Sequence, residues 1–203
     1  MTVSTFLSAI NAELSKEAKV LSDPDTNGFK AAHERWTDRD LKTPSAIVIV
    51  ATEDDIVKTV QLALKHDIPF VPKSGGHSAW STIGQEGIII DLSNYNKVKI
   101  DKSTKTVTIQ SGIVNKQLIG ALYEHNLFLP LGGGNTIGSV PQALGGGLCA
   151  LSKQCGNTSD NVLSARLVTA TGELITVDSN RSDLLWALKG AGQYFGLVTE
   201  LTL

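Results

Sequence analysis

The segment with the clearest chemical potential is Lys73-Ser74-Gly75-Gly76-His77-Ser78, which follows a short apolar run, Ile68 to Val71. Glycine has no Cβ and adopts positive φ readily, so consecutive backbone N–H groups in such a loop can point into one concave anion-binding nest. The ammonium group of Lys73 can add a positive charge beside that nest. The alternatives are a plain turn and an ordinary polar histidine. The segment therefore predicts a phosphate-binding loop with an imidazole next to it.

Glycine is also concentrated in a second region, where Gly132-Gly133-Gly134 is followed closely by Gly145-Gly146-Gly147. Two triplets so near each other exceed what turns require, because each glycine forgoes side-chain packing and adds to the entropy cost of folding. A glycine loop that serves packing alone is the alternative. The pattern favours a backbone held against a large flat or phosphorylated ligand.

Taken together, these two segments resemble the FAD-linked oxidases of the vanillyl-alcohol oxidase and berberine-bridge-enzyme type. The similarity runs from about Arg35 to Leu203 and includes later landmarks in the family's order: Asp160 to Leu163, Asp183 to Gly190 and Phe195 to Thr199. In that family a stretch of Arg or Lys, Ser, Gly, Gly and His binds the FAD pyrophosphate, and its His is often bonded to the flavin 8α-methyl carbon. The resemblance therefore implies FAD as the cofactor, attached covalently through His77.

The resemblance also implies which residues bind FAD. The KSGGHS loop serves the pyrophosphate. The stretch from Gly132 to Gly138 lies near the ribityl chain and the ring, and Gly145 to Leu148 run against either the isoalloxazine or the ADP. Asp160 and Asn161 either close the adenosine side or make local turn bonds. The predicted cofactor-binding residues are Lys73, Ser74, Gly75, Gly76, His77, Ser78, Gly134, Thr136, Gly138, Gly145, Gly146, Gly147, Leu148, Asp160, Asn161, Gly196 and Val198. An imidazole with a pKa near neutrality can act as the nucleophile that forms the flavin bond.

Other residues with reactive or aromatic side chains receive simpler interpretations. His33, His66 and His125 share no metal-ligand spacing, so no metal site is predicted, and the catalytic base stays unidentified. The two cysteines, Cys149 and Cys155, match no common zinc pattern and are interpreted as small free thiols rather than a disulfide. Trp186 is predicted to belong to the core.

The family offers a second mode of attachment that this sequence lacks. Some members link FAD through both a histidine and a cysteine, and that cysteine precedes a Pro-Thr-Val-Gly-like stretch. The matching position here, before Asn135-Thr136-Ile137-Gly138, is Gly134. We therefore expect a single link, at His77.

Composition places the chain among ordinary globular proteins. Its 203 residues are 41% hydrophobic and 19% charged with a formal net charge of −2, which suits one domain or two small lobes and does not favour nucleic-acid binding. No apolar run reaches the roughly 18 residues of a membrane span. The N-terminus lacks a basic leader, and Phe6, Leu7, Ile10 and Leu14 follow helical spacing. We therefore expect an amphipathic helix rather than a signal peptide, and a cytoplasmic location.

The order of elements predicts an α+β fold, which the resemblance identifies as a two-lobed PCMH-type FAD-binding domain at residues 40–203. Residues 1–39 are expected to form a helical lead-in. A small βαβ lobe, about residues 40–105, comprises a strand at Ser45 to Ala51, a helix capped by Thr52 and a strand at Ile68 to Val71. Its exit loop, KSGGHS, should lie at the carboxyl edge of the sheet, where ligands commonly bind.

A larger, mixed or antiparallel lobe is expected at residues 106–203. Thr106 to Gln110 alternates as a strand, and Val114 to Leu122 has the apolar spacing of a helix. Ala165 to Ala170 and Glu173 to Val177 form a predicted hairpin turning at Thr171-Gly172, and Leu197 to Leu203 is a closing strand.

The function implied by the resemblance is oxidation of a small organic substrate, an alcohol, amine or ring carbon, by hydride transfer to flavin with O₂ as acceptor. Family members continue through a substrate-binding domain that is absent from this sequence. A catalytically inactive flavin-binding fragment is therefore the alternative. A noncovalent reductase of the same fold that uses NADPH is less favoured, because His77 stands in the attachment position.

Overall fold

The structure, a computed structural model, describes residues 3–203, apart from the side chain of Ser4. The chain divides into two compact units, the first ending at Tyr95 and the second beginning at Asn96. Each unit combines helices with its own β-sheet, so the predicted α+β class with two sheets is confirmed. No helix within residues 3–203 is both long and apolar enough to cross a membrane.

The first unit is a four-stranded sheet with three helices. Its strand order is β1-β2-β4-β3; β2, β4 and β3 run parallel and β1 is antiparallel to β2. The elements in chain order are α1 (Val3–Glu13), β1 (Lys19–Leu21), α2 (Asn27–His33), β2 (Ala46–Ile49), α3 (Glu53–Lys65), β3 (Phe70–Lys73) and β4 (Ile88–Asp91).

Helix α3 begins where the sequence predicts. The Thr52 hydroxyl accepts a hydrogen bond from the Asp55 backbone N–H at 3.1 Å, and the Asp55 carboxylate accepts one from the Thr52 N–H at 2.9 Å. This capping box satisfies two of the backbone donors that a helix leaves open at its start. The apolar face that includes Ile56 and Val60 is buried, which joins the helix to the rest of the unit.

Residues 1–39, predicted as a separate lead-in, are partly built into the first unit. Phe6 and Ile10 of α1 are fully buried, and the Ser15 backbone N–H and hydroxyl donate to the Asp55 carboxylate at 2.7 and 2.8 Å. Strand β1 then adds an antiparallel edge to the sheet. Sequence analysis missed these tertiary contacts because the two residues that form each contact are far from each other in the chain.

Strand β3 starts two residues later than predicted. The Ile68 N–H donates to the carbonyl of Ala63 at 2.8 Å, and Asp67 has a φ of +55°, so residues 66–68 close helix α3 instead of starting the strand. The apolar character of Ile68 reflects its burial beneath that turn. At its other end, β3 extends to Lys73, two residues beyond the predicted end at Val71. Ser74 is therefore the first residue of the glycine loop.

The second unit is a five-stranded antiparallel sheet in the order β5-β6-β9-β7-β8. Its elements are β5 (Val98–Asp101), β6 (Thr106–Gln110), α4 (Asn115–Tyr123), α5 (Ser139–Leu144), α6 (Ser152–Cys155), β7 (Ser164–Val168), β8 (Leu174–Val177), α7 (Ser182–Ala191) and β9 (Leu197–Thr202), with 3-10 turns at Ser159–Asn161, Ser179–Arg181 and Gly192–Tyr194. The expected boundary near residue 105 is too late, because β5 pairs with β6 and so belongs to this unit.

The predicted hairpin of the second unit is confirmed. β7 and β8 pair antiparallel, the Thr169 N–H donates to the Glu173 carbonyl at 2.9 Å, and Gly172 has a φ of +78°. Trp186, in contrast, was predicted wrongly as core: its side chain is 79% exposed. Helix α7 turns Leu188 into the core and packs Leu184 and Leu185 against it, which leaves position 186 on the opposite face.

Candidate flavin site

The KSGGHS loop lies at the edge of the first unit's sheet where the carboxyl ends of parallel strands meet. β2, β3 and β4 are parallel, so their carboxyl ends share one edge of the sheet. Lys73, the last residue of β3, pairs in register with Asp91, the last residue of β4. The loop therefore begins at the edge of a parallel sheet where ligands commonly bind, as the sequence predicts.

Two neighbouring residues from a distant segment hold the loop in place. The Arg35 guanidinium donates to the Ser78 carbonyl at 2.6 Å and also to the Ser81 carbonyl, and the Trp36 N–H donates to the Gly76 carbonyl at 3.3 Å. Gly76 is buried with a φ of +69°, a backbone conformation that suits glycine. The loop conformation is thus fixed by the Arg35-Trp36 segment from outside.

A buried hydroxyl in this loop has no partner. The Ser74 Oγ is shielded from solvent and forms no hydrogen bond with any residue in the described part of the chain. Such a group costs about 1–3 kcal/mol when it stays unsatisfied, so it marks a place where a ligand atom can bind. A positive-φ glycine and an unsatisfied hydroxyl at the carboxyl edge of the sheet fit a phosphate-bearing cofactor such as FAD.

His77 lies against the indole of Trp36. The two rings are stacked, with centroids 5.7 Å apart and planes inclined by 21°. Burial lowers the pKa of His77 from its ordinary value of 6.5, so the imidazole is held neutral at neutral pH. A neutral imidazole has a free nitrogen lone pair and can act as a nucleophile.

The Lys73 ammonium makes two contacts within the first unit. Its ammonium donates to the Asp91 carboxylate at 3.0 Å and to the Ala32 carbonyl at 2.8 Å, and its side chain is only 10% exposed. The charge that was expected to face a phosphate is therefore already paired with Asp91. Lys73 holds the ends of β3 and β4 together, and its role toward FAD stays a prediction.

In the second unit, the stretch from Gly132 to Gly138 is organised by Asn115, which sequence analysis did not single out. The buried Asn115 amide donates to the carbonyls of Gly132 and Gly134 at 3.0 and 3.2 Å and accepts from the Ser139 hydroxyl at 2.8 Å. Of the predicted residues here, Gly138 is buried and Thr136 is exposed. Asn115 thus stabilises the loop conformation from the core side.

The second glycine triplet packs against the 3-10 turn that follows it. Gly146 and Gly147 have φ values of +105° and +72°, and a Cβ on Gly147 would lie 2.3 Å from the Thr158 Oγ1. The N–H groups of Thr158 and Ser159 donate to the carbonyls of Gly147 and Gly146 at 3.1 and 3.0 Å. Packing therefore accounts for Gly147 within the unit, while Gly145 and the 79% exposed Leu148 stay accessible.

The remaining predicted residues have structural contacts of their own. The Asp160 carboxylate accepts from the Asn157 N–H at 2.8 Å, and the Asn161 amide donates to the Asn157 carbonyl at 2.8 Å, which are the local turn bonds given as their alternative. Gly196 has a φ of +146° and Val198 is buried in β9. Their roles toward FAD stay predictions.

Two further observations concern the cysteines and the residues that sequence analysis missed. Cys149 is half-buried, Cys155 is exposed, and both are free thiols. Arg35 and Trp36 were noted only as landmarks of the resemblance, because the loop they contact lies about forty residues further along the chain. No local spacing connects such distant partners.

Comparison with known proteins agrees with this geometry. The family described as FAD binding domain matches residues 44–178. The FAD-linked oxidoreductase azaL of Aspergillus niger is 38% identical over 198 residues, which cover 96% of this chain. The solved structure of 6-hydroxy-D-nicotine oxidase from Arthrobacter nicotinovorans superposes with a TM-score of 0.88 at 34% identity over 93% of the chain. A glucooligosaccharide oxidase from Acremonium strictum, described with a 6-S-cysteinyl, 8α-N1-histidyl FAD, gives a TM-score of 0.87 at 26% identity over 98%.

The fold and the glycine loop define an FAD-binding domain of a flavoprotein. The chain belongs to the vanillyl-alcohol oxidase and berberine-bridge-enzyme family, as its sequence features indicated. It spans 42% of the length of azaL and 42% of the length of 6-hydroxy-D-nicotine oxidase.

Proposed function

We propose that the chain is the flavin-binding part of an FAD-dependent oxidoreductase that oxidises a small organic substrate by hydride transfer, with O₂ as the acceptor. The observation that carries the proposal is the buried, partnerless Ser74 hydroxyl in a glycine loop at the carboxyl edge of the sheet, three residues before His77. When bound, FAD would supply the redox chemistry: its ring would accept the hydride and pass two electrons to O₂. Relatives that are named FAD-linked oxidoreductases support this class of reaction.

In this proposal the residues of the chain bind and retain the cofactor. The Ser74 hydroxyl and the backbone N–H groups from Gly75 to Ser78 bind the pyrophosphate, and the positive φ of Gly76 lets those groups converge. Arg35 keeps the loop in this conformation through the Ser78 and Ser81 carbonyls. The FAD-binding role of the residues predicted in the second unit, among them Gly134, Gly145 and Val198, is a separate prediction.

His77 is proposed as the point of covalent attachment. Burial lowers the pKa of His77 and so favours the neutral imidazole, whose nitrogen lone pair is the group that can bond to the flavin 8α carbon. The histidyl FAD of the Acremonium strictum oxidase supports this chemistry for a protein of the same fold.

The test is to express the chain in a flavin-sufficient host, precipitate it with acid and measure the flavin absorbance that stays with the protein. Acid-stable flavin is expected in the wild type and its loss is expected in His77→Ala. Ser74→Ala serves as the matched loop variant, since it should weaken FAD binding while leaving the attachment nucleophile intact. Complete release of flavin from the wild-type protein would refute covalent attachment.

A second candidate is a flavin-binding chain that does not turn over substrate. The chain covers 42% of the length of azaL, and the family resemblance implies that the substrate pocket and the base come mainly from later sequence. A general base must lie about 2.6–3.2 Å from the proton that it removes. The test is anaerobic mixing of the flavin-loaded chain with alcohols and amines: bleaching of the flavin, followed by peroxide formation when O₂ is admitted, would rule this candidate out.

A further inference from the structure

We propose that Trp36 is a positioning residue for covalent flavin attachment, which holds the His77 imidazole in the orientation that forms the bond. The inference rests on the proposed attachment through His77. It goes beyond it by assigning a role to an aromatic residue more than forty positions earlier in the chain.

The stack between the two rings is well formed. The centroid separation of 5.7 Å falls within the range of about 4.5–7 Å that aromatic pairs prefer, and the inclination of 21° makes the rings nearly parallel. A ring lying over one face of an imidazole restricts its rotation about the Cβ–Cγ bond. The plane of the His77 ring is therefore set by the plane of the Trp36 indole.

The backbone of Trp36, which carries the indole, is held in place by hydrogen bonds to the loop. The Trp36 N–H donates to the Gly76 carbonyl at 3.3 Å, so the residue next to His77 is tied to the residue that stacks on it. The preceding residue, Arg35, donates to the carbonyls of Ser78 and Ser81. Hydrogen bonds on both sides of His77 thus fix the loop and the indole relative to each other.

The exposure of Trp36 indicates that core packing does not explain its position. Trp36 is 72% exposed, so burial in the core does not fix its indole, and the stack on His77 is a ring contact that the structure does show for it. Burial lowers the pKa of His77, and an indole over one ring face contributes to that burial. The same contact therefore both orients the imidazole and helps to keep it neutral.

A stacked arrangement suits the bond that has to form. The nitrogen lone pair of an imidazole lies in the plane of the ring, so a partner on the ring face does not compete with a bond that forms at the ring edge. In the attachment step an imidazole nitrogen bonds to the 8α carbon, and one 8α hydrogen and the imidazole N–H hydrogen leave as protons. The two electrons released reduce the flavin ring, and O₂ then takes up two electrons and two protons to give H₂O₂.

The test compares the wild-type chain with three variants, each prepared as apoprotein and then mixed with FAD, by the rate at which acid-stable flavin appears. Trp36→Ala should attach flavin about ten- to a hundredfold more slowly than wild type, because a misplaced nucleophile loses the benefit of orientation. Trp36→Phe should retain most of the rate, since it keeps a stacking ring. Trp80→Ala is the matched control, because Trp80 lies three residues after His77 and is 87% exposed.

A second readout is independent of the flavin. In proton NMR spectra of the apoprotein, the ring current of Trp36 should shift the His77 ring protons upfield, and Trp36→Ala should abolish the shift whereas Trp80→Ala keeps it. The inference would be overturned if Trp36→Ala left both the His77 resonances and the attachment rate unchanged. Loss of attachment in His77→Ala in the same experiment would show that the proposed attachment itself still holds. If the wild type itself formed no acid-stable flavin, the proposed attachment would fail first, and this inference with it.

Discussion

Lys73 and Asp91 form a buried ion pair across the carboxyl ends of two neighbouring parallel strands. The Lys73 Nζ lies 3.0 Å from the Asp91 Oδ2, and the two side chains are only 10% and 2% exposed. The residues are register partners in the β3–β4 pairing, and the KSGGHS loop starts directly after Lys73. The pair therefore sets the point from which the candidate flavin loop leaves the sheet.

Removing one partner of this pair should be more harmful than removing both. Asp91→Ala leaves the Lys73 ammonium buried without its counter-charge, and we expect a loss of about 3–5 kcal/mol in the free energy of unfolding. Lys73→Met should cost a similar amount, whereas the double variant Lys73→Met with Asp91→Leu should recover part of it. Urea denaturation followed by circular dichroism measures all three. Additive losses in the double variant would show that the pair does not act as a unit.

Asp55 makes the first unit sensitive to acid. Burial raises the pKa of its carboxyl group, but hydrogen bonds from Ser15, Thr52 and Ala51 outweigh burial and lower the pKa below 3.8. A lowered folded-state pKa means that the carboxylate stabilises the fold above about pH 3.9, the unfolded value, and loses that contribution as the pH falls through the folded value.

We therefore expect Asp55→Asn to lower the free energy of unfolding by about 1–3 kcal/mol at pH 7, and the difference from wild type to shrink below pH 3.8. Thermal unfolding of the wild type and of Asp55→Asn at a series of pH values from 7 to 3 measures this difference in stability. The control is Asp54→Asn, because Asp54 is 70% exposed and pairs with Lys58 on the surface. A pH-independent difference would contradict the prediction.

Two glycines of the second unit should respond in opposite ways to the same substitution. Gly196 has a φ of +146°, and a Cβ there would lie 2.4 Å from the Val168 carbonyl oxygen, so Gly196→Ala should cost at least about 2 kcal/mol. Gly120 lies within helix α4 with no atom within 4 Å of an added Cβ, so Gly120→Ala should stabilise by about 0.5–1 kcal/mol. Urea denaturation of both variants tests the pair, and equal effects would be inconsistent with the backbone described here.

Asn115 should be needed for the conformation of the Gly132–Gly138 loop. Asn115→Ala removes the donor to the Gly132 and Gly134 carbonyls and leaves the Ser139 hydroxyl without its acceptor, for an expected cost of about 1–3 kcal/mol. If the loop contacts FAD, the variant should also bind FAD more weakly. Thermal unfolding and a flavin-binding titration measure the two effects. Asn180→Ala, at an exposed position of the same unit, is the control and should change neither.

A digest of the flavin-loaded protein should carry flavin on one peptide only. Gly134 stands where doubly linked relatives have a cysteine, and the two cysteines of this chain lie elsewhere, at positions 149 and 155. Mass spectrometry of a tryptic digest should therefore find flavin on the peptide that contains His77. Flavin on a Cys149 or Cys155 peptide would show that a second link exists.

The sequence by itself determined those features that depend on local chemistry. The capping box at Thr52 and Asp55, the hairpin turn at Gly172 and the glycine loop before His77 all follow from the types and spacing of neighbouring residues, because their interactions span only a few positions. The ordered landmarks from Arg35 to Thr199 were also sufficient to recognise the family.

Only the tertiary structure decided how those local features are supported. The pairing of Lys73 with Asp91, the stacking of Trp36 on His77 and the Asn115 hydrogen bonds to the Gly132–Gly138 loop each join residues between 17 and 41 positions apart. The exposure of Trp186 was also decided by the tertiary structure, because it depends on which face of α7 packs against the core. Contacts of this kind leave no spacing in the chain, because their energy arises only when separate elements pack together. The local pattern therefore marked the loop for which flavin binding is predicted, and folding selected the residues that hold this loop in place.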